Sequence, residues 1–244
     1  MKHRERTYRN NIARNDLKTY QVSVEETDLF ISSKSERSRN VAVESIKKHR
    51  NTIEKYIKFH PEFLTSLVPL LTYDEIAPPI VKEMIGASGA AGVGPMAAVA
   101  GAISEYVGWD IIHGDRNKVI IVENGGDIFI NTPDRIITVG IFAGDSPLSH
   151  QIALKINPEE SPLGICTSSS TVGHSLSFGK ADAVCVKSKS TSLADAAATA
   201  ICNLVKGERD IKRSLDIGLK ITGVLGVVII VGGKIGAVGD IEFV

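Results

Sequence analysis

From Gly86 to Gly108 the chain is built almost wholly of Gly, Ala, Ser and aliphatic residues, with Glu105 as its one charge. So uncharged a stretch belongs inside a fold. Its second part predicts a buried helix over 95–107, with Pro95 in the first turn, where a missing N–H costs nothing. The first part predicts a loop carrying Gly86, Gly89, Gly92 and Gly94. Glycines there let the backbone turn tightly and let a ligand approach the main chain. The helix start behind them offers free N–H groups and partial positive charge, which suit phosphate. Gly92 and Gly94 are therefore candidate binding residues, and close helix packing is the competing explanation. A Walker loop is excluded, because no lysine lies between Lys82 and Lys118. Gly92-Val-Gly94-Pro-Met-Ala97 fits the spacing of a dinucleotide fingerprint, but residues 81–85 read as helix rather than as the strand that motif requires.

Around this segment the pattern alternates between strand and helix without a strict βαβ rhythm, which favours an α+β fold of mixed and antiparallel sheets packed with helices. Strands are expected within 20–31, at 119–122, 128–130, 136–142, 151–156, 164–166 and 183–186. Helices are expected at 38–59 and 192–205. A final hairpin should run from 224–231 through Gly232-Gly233-Lys234 to a last strand near 241–244. The 244 residues are read as one domain, or as two closely packed lobes, with 43% hydrophobic residues to fill the core.

Lys+Arg and Asp+Glu balance at 28 each, so no global field draws the protein to nucleic acid. Lys2, Arg4, Arg6, Arg9 and Arg14 face one acid, Glu5, and read as a solvated arm. Cys166, Cys185 and Cys202 form no CxxC pair, the start lacks the apolar stretch of a signal peptide, and the longest apolar run, 224–231, is too short to span a bilayer. These features predict a cytoplasmic protein with no membrane span. A homodimer is the base-rate expectation.

Two further motifs carry chemistry. Asn124-Gly125-Gly126-Asp127 between two strands is an ordinary hairpin turn, or a ligand-facing backbone with Asp127 and Glu123 beside it. Asp195 and Thr199 are four residues apart and so share one helix face. A carboxylate and a hydroxyl one turn apart can hold a hard cation such as Mg²⁺ bridging to phosphate. The alternative is that Ser192-x-x-Asp195 is a capping box.

Taken together, three segments resemble the FAD:protein FMN transferases of the ApbE type, and above all small prokaryotic relatives of those enzymes. Val122-Glu-Asn-Gly-Gly-Asp-Ile128 is similar to their Gly-Gly-Asp turn. Cys166-Thr-Ser-Ser169 is similar to their Thr-Ser segment, and Ala194-Asp-Ala-Ala-Ala-Thr-Ala200 to their Ala-Asp-Ala-Leu-Ala-Thr-Ala helix. The resemblance covers residues 86–206. It implies FAD (or FMN) held in a cleft with Mg²⁺ on the diphosphate and Asp195 and Thr199 as metal ligands. Gly125, Gly126, Asp127, Thr167, Ser168 and Ser169 would lie near the flavin or metal, and a protein hydroxyl would accept the flavin phosphate. The chain departs from those enzymes in lacking their lysine at the glycine-rich helix start and their Ser-His-Ile-Ile-Asp-Pro segment, near whose place only Gly173-His174-Ser175 stands. His174 is the candidate base or phosphate donor. The departures leave open a non-catalytic flavin- or nucleotide-binding module, and a hydrolase using Cys166 or Ser175 with His174 is the third alternative.

Overall fold

The structure is a computed structural model that describes residues 17–36, 38–70, 74–115, 118–171 and 178–244. The basic arm and His174 lie outside the described residues.

Eight strands form one antiparallel sheet in the order β1-β2-β3-β4-β7-β8-β9-β10. They are β1 (Lys18–Val24), β2 (Thr27–Ser33), β3 (Ile120–Asn124), β4 (Asp127–Asn131), β7 (Leu163–Ser168), β8 (Ala183–Ser188), β9 (Val224–Val231) and β10 (Lys234–Gly239). β5 (Ile137–Gly140) and β6 (Ala153–Ile156) pair as a separate small sheet. The helices are α1 (Ser38–Phe59), α2 (Glu62–Thr65), α3 (Pro79–Ala91), α4 (Val99–Asp115), α5 (Thr191–Leu204) and α6 (Ile211–Gly218). The α+β architecture expected from the alternating patterns is the one observed.

Side chains alternate across the strands, so the large sheet has two buried faces. Ile120, Val122 and Phe129 meet α1, α3 and α4 on one face, joined by the cluster of Val184, Val186 and Cys166 with α5. On the other, Ile121, Ile128, Ile130 and Cys185 meet β5 and β6. The molecule is thus layered as helices, large sheet, small sheet. Within α1, Ala42, Ser45, Ile46, His49 and Ile53 are buried, the three- and four-residue spacing of a one-sided helix.

Two expectations are corrected. The glycine-rich loop is mostly helix: Gly86 and Gly89 lie inside α3, and the loop shrinks to the turn that Gly92 opens in the left-handed conformation (φ 77°). Ile80, Val81, Met84, Ala87 and Ser88 are buried along α3, and that burial outweighs the roughly 1 kcal/mol each helical glycine costs. The last strand is β10, not 241–244. The two-residue turn at Gly232-Gly233, with Gly232 at φ 58°, sends the chain straight back at Lys234. Residues 241–244 cross instead to β6, where Lys155 N–H donates to Glu242 at 2.8 Å and Val244 N–H to Ala153 at 3.0 Å. Among the described residues no single helix is long and apolar enough to cross a membrane; α3 and the α4 segment pass that test only as a pair bent by 104°.

Two substitutions test this packing against each other. A Cβ at Gly164 would sit 2.5 Å from the Thr191 Cα, so Gly164→Ala is expected to lower stability by about 1–3 kcal/mol, with a matching fall in the urea midpoint. A Cβ at Gly86 meets nothing within 4 Å, so Gly86→Ala is expected to raise stability by about 0.5–1 kcal/mol. A destabilised Gly86→Ala protein would contradict the helical assignment of 86–91.

Candidate functional site

The strand register assembles the first half of the site. Asn124 pairs with Asp127, and Asp127 with Cys166, in one cross-strand row over β3, β4 and β7. Paired residues face the same side of a sheet, here the helical side, since Cys166 packs in the cluster with α5. Ser168, two residues on, faces the same way. Gly125 and Gly126 turn with φ 68° and 110°, so the hairpin reading of this motif holds. Both backbone groups of Gly126 are engaged, its N–H by Glu123 Oε1 at 2.8 Å and its C=O by Thr167 N–H at 3.1 Å.

The second half comes from two helix starts. Asn124 Nδ2 donates to the Ala100 carbonyl at 3.1 Å, which ties the β3–β4 turn to the first turn of α4. Asp195 reaches the same place from α5, where its Oδ2 accepts the Gly101 N–H at 2.9 Å and its carboxylate also accepts from Ala100. The α5 residue and the Gly-Gly-Asp turn therefore converge on Ala100–Gly101. Glycine is required at 101: a Cβ would stand 2.4 Å from the Thr191 carbonyl oxygen and 2.8 Å from the Asp195 Cβ.

The helices cap one another. Glu105 of α4 accepts the backbone N–H groups of Thr191 (2.8 Å) and Ser192 (3.3 Å) at the start of α5, while Asp195 of α5 caps α4. Ser190 caps α5, accepting from Leu193 N–H and donating to Glu83 Oε1 at 2.8 Å. The alternative reading of Ser192–Asp195 as a capping box is thereby corrected: Ser190 holds the cap position, and Asp195 faces α4. The sequence reading assigned no site role to Glu105, Glu83, Asn124 or Gly101. The one available signal was Glu105 itself, a lone acid in an uncharged stretch.

Burial sets the electrostatics. A sliver of Asp195 reaches solvent, yet the protein packed around it pushes its carboxyl up to about 7, against the downward pull of the Gly101 and Ala100 N–H groups. Burial likewise raises Glu105, opposed by its bonds to Thr191 and Ser192. Cys166 is fully buried, and its thiol is pushed well up by burial and by the charges of Asp127 and Asp195, so both carboxylates lie within reach of one sulfur. That thiol donates to the Thr191 carbonyl at 3.3 Å. A protonated, enclosed thiol is a poor nucleophile, which removes the physical basis of the cysteine-hydrolase alternative. Neither Asp195 nor Glu105 has a lysine or arginine partner among the described residues.

The structure brings Asp195, Asp127 and Ser168 to one side of the sheet and keeps Thr199 on the Asp195 face of α5, partly exposed. It does not bring the Thr167 side chain there; that hydroxyl bonds Cys185 on the opposite face. Ser169 bonds Thr171. Gly92 ends α3, and at Gly94 a Cβ would collide with the Ser66 carbonyl, so chain geometry accounts for both. Ser168 Oγ is buried and has no hydrogen-bond partner among the described residues. No group of three His, Cys, Asp or Glu suited to a metal occurs among the described residues, so a carboxylate–hydroxyl pair completed by ligand and water oxygens is the donor set available.

A family model described as AbpE bacteria matches residues 9–235. A UPF0280 protein of Methanococcus aeolicus is 43% identical over 225 residues, covering 90% of this chain and 89% of that protein. A UPF0280 protein of Methanopyrus kandleri is 43% identical over 224 residues, covering 89% of each. Among solved structures, the apo flavinyl transferase ApbE of Pseudomonas stutzeri superposes with a TM-score of 0.57 at 12% identity, over 91% of this chain and 94% of that one. The ApbE protein of Thermotoga maritima gives 0.56 at 12% identity, over 90% and 96%. These two likenesses establish the fold.

The Asp195 carboxyl makes a pH prediction for metal-free protein. Its folded value of about 7 lies above the ordinary 3.8, so the folded state holds this proton more tightly than the unfolded chain. Stability from this group is full in acid and declines as pH rises from near 3.8 to about 7. Urea denaturation in a chelator at pH 5 and pH 8 should show that decline in the parent and a flatter profile in Asp195→Asn. Equal slopes in both would exclude the assignment.

Proposed function

The chain belongs to the family described as AbpE bacteria, and from that membership and the site geometry we propose that it binds FAD (or FMN) together with Mg²⁺ where the β3–β4 turn, the end of β7 and helices α4 and α5 meet. It acts on the diphosphate, passing the flavin phosphate to a hydroxyl of a protein acceptor. The observation that carries this reading is the convergence of Asp195 and the Gly-Gly-Asp turn on Ala100–Gly101.

The residues present fit such a ligand. A flavin dinucleotide carries a diphosphate, and no lysine or arginine meets Asp195 or Glu105 among the described residues. Where these carboxyls are ionised, an anionic ligand settles beside them with a cation between. Asp195 uses two of about four acceptor positions on α4, and the others would serve that cation, with the Thr199 hydroxyl one helical turn away. Ser168 Oγ, buried and without a partner among the described residues, would donate to an anionic or carbonyl oxygen of the ligand. When bound, Mg²⁺ neutralises the charge that grows on the departing AMP. In the transfer, the acceptor oxygen bonds to the flavin-side phosphorus and the bridging P–O bond breaks. AMP carries off the bridging oxygen, and the hydroxyl proton goes to solvent.

A specific observation favours a second reading, a binding module without turnover: the glycine-rich start of α4 holds no lysine. Flavin fluorescence titrations with and without Mg²⁺ test binding. The parent should bind FAD at least about tenfold more tightly with Mg²⁺, a step of about 1.4 kcal/mol, and Asp195→Ala/Thr199→Ala should lose that gain. Binding indifferent to both would defeat the proposal. Release of AMP from FAD over many turnovers separates the transferase or hydrolase from the module.

A further inference from the structure

We propose that the outer edge of β10 is an interface with a second copy of this chain, paired antiparallel about a two-fold axis at Ala237, so that two large sheets join into one. This inference is independent of the flavin reading.

β10 ends the large sheet, with β9 on one side only. In an antiparallel ladder alternate residues bond the neighbouring strand, and the residues between them turn N–H and C=O outward. Asp240 fixes the phase, because its N–H donates to the β9 carbonyl of Leu225 at 2.8 Å. Lys234, Gly236 and Val238 therefore bond β9, while Ile235 and Ala237 present their backbone groups to the outside. After Gly239 the chain leaves for β6, and none of the described residues bonds its main chain to Ile235 or Ala237 from that side. Edge strands are ordinarily blunted by charges, prolines or bulges. At the opposite edge of the sheet Arg39 does this, donating to the Gln21 carbonyl of β1 at 2.9 Å. Between Lys234 and Asp240, β10 has no charge, no proline and no register shift against β9.

The order of residues selects a second copy. Lys234-Ile-Gly-Ala-Val-Gly-Asp240 is complementary to its own reverse. With Ala237 opposite the partner's Ala237, Ile235 meets the partner's Gly239, Val238 meets the partner's Gly236, and Lys234 meets the partner's Asp240. Each large side chain falls on a small one, and each cation on an anion. The faces agree with this pairing. A Cβ at Gly236 would touch Ile211 and Leu215, so Gly236 and Val238 face the helices, and Ile235 and Ala237 face the other way. Ile235 is 40% exposed there, and the partner's Gly239 offers bare backbone for it to cover. Asp240 accepts from Lys187 at 2.9 Å, yet its side chain is 68% exposed and open to the partner's Lys234. An unrelated extended segment would gain the same main-chain bonds, but an edge of Gly236, Ala237 and Gly239 gives it few side-chain contacts to recognise. Two-fold pairing also consumes both edges at once, which stops growth at the dimer.

One strand pair is a small interface, so the dimer is weak and depends on concentration. Sedimentation of the full chain from micromolar to millimolar concentration should show a monomer–dimer equilibrium. Ala237→Pro removes an outward N–H and spares the β9 ladder, and Ile235→Lys sets a charge on the edge. Each should weaken dimerisation at least about tenfold while keeping the parent's urea midpoint in dilute solution. Hydrogen exchange on the parent needs no substitution: the Ile235 and Ala237 amides should become protected as concentration rises. A chain that stays monomeric at millimolar concentration, whether or not its edge takes up an unrelated extended peptide, would overturn the proposal. So would a dimer unmoved by both substitutions, or Ile235 and Ala237 amides that exchange equally in monomer and dimer.

Discussion

Helices α4 and α5 approach at Gly101 more closely than any side chain permits, and the site follows from that contact. A β-carbon there would collide with the Thr191 carbonyl, so the α5 backbone lies directly on the first turn of α4. At that distance each helix reaches the other's free N–H groups. Asp195 crosses to Ala100 and Gly101, and Glu105 crosses to Thr191 and Ser192. Burying two carboxylates is costly, and here the cost is offset by charge-assisted bonds and by the positive ends of both helices. The exchange fixes the relative register of the helices. It also turns the face of α5 that carries Asp195 toward α4.

The sheet contributes its share through the same logic of close approach. Gly164 lets β7 pass under Thr191, and Gly108 lets α4 lie on the Phe129 ring, where a Cβ would come within 2.2 Å. Small residues in α4 and β7 therefore serve the docking of helices on strands rather than a phosphate loop. Cys166 sits under this contact and bonds the Thr191 carbonyl, filling the space between strand row and helix start.

Much of this was legible in the residues. The 38–59 helix follows directly from its apolar stripe, and the Asn-Gly-Gly-Asp hairpin from turn chemistry that needs positive φ. The β-branched runs at 120–124 and 224–231 formed strands because both faces of the large sheet are covered. Other features were beyond local reading. Gly86 and Gly89 looked like a loop because glycine opposes helix, and only the burial of Ile80, Met84 and Ala87 against other elements reverses that preference. The capping box read at Ser192 was one turn's worth of pattern without its partner: a serine two residues earlier and a glutamate on a different helix satisfy those N–H groups instead. Thr167, Ser168 and Ser169 are consecutive, and pleating sends neighbours to opposite faces, so a motif of three does not place three side chains in one site.

Capping alone does not account for the chemistry at 195. A serine or asparagine could accept the same N–H bonds at the start of α4 without a charge to strip of water. Asp195 instead carries a carboxylate into a partly open position, with Asp127 facing the same sulfur and no protein cation bonded to it among the described residues. The mutual attraction of the helices and the cost of burying the Asp195 carboxylate thus act on the same few atoms, and that is why the proposed reading places a hard cation with its anionic ligand there.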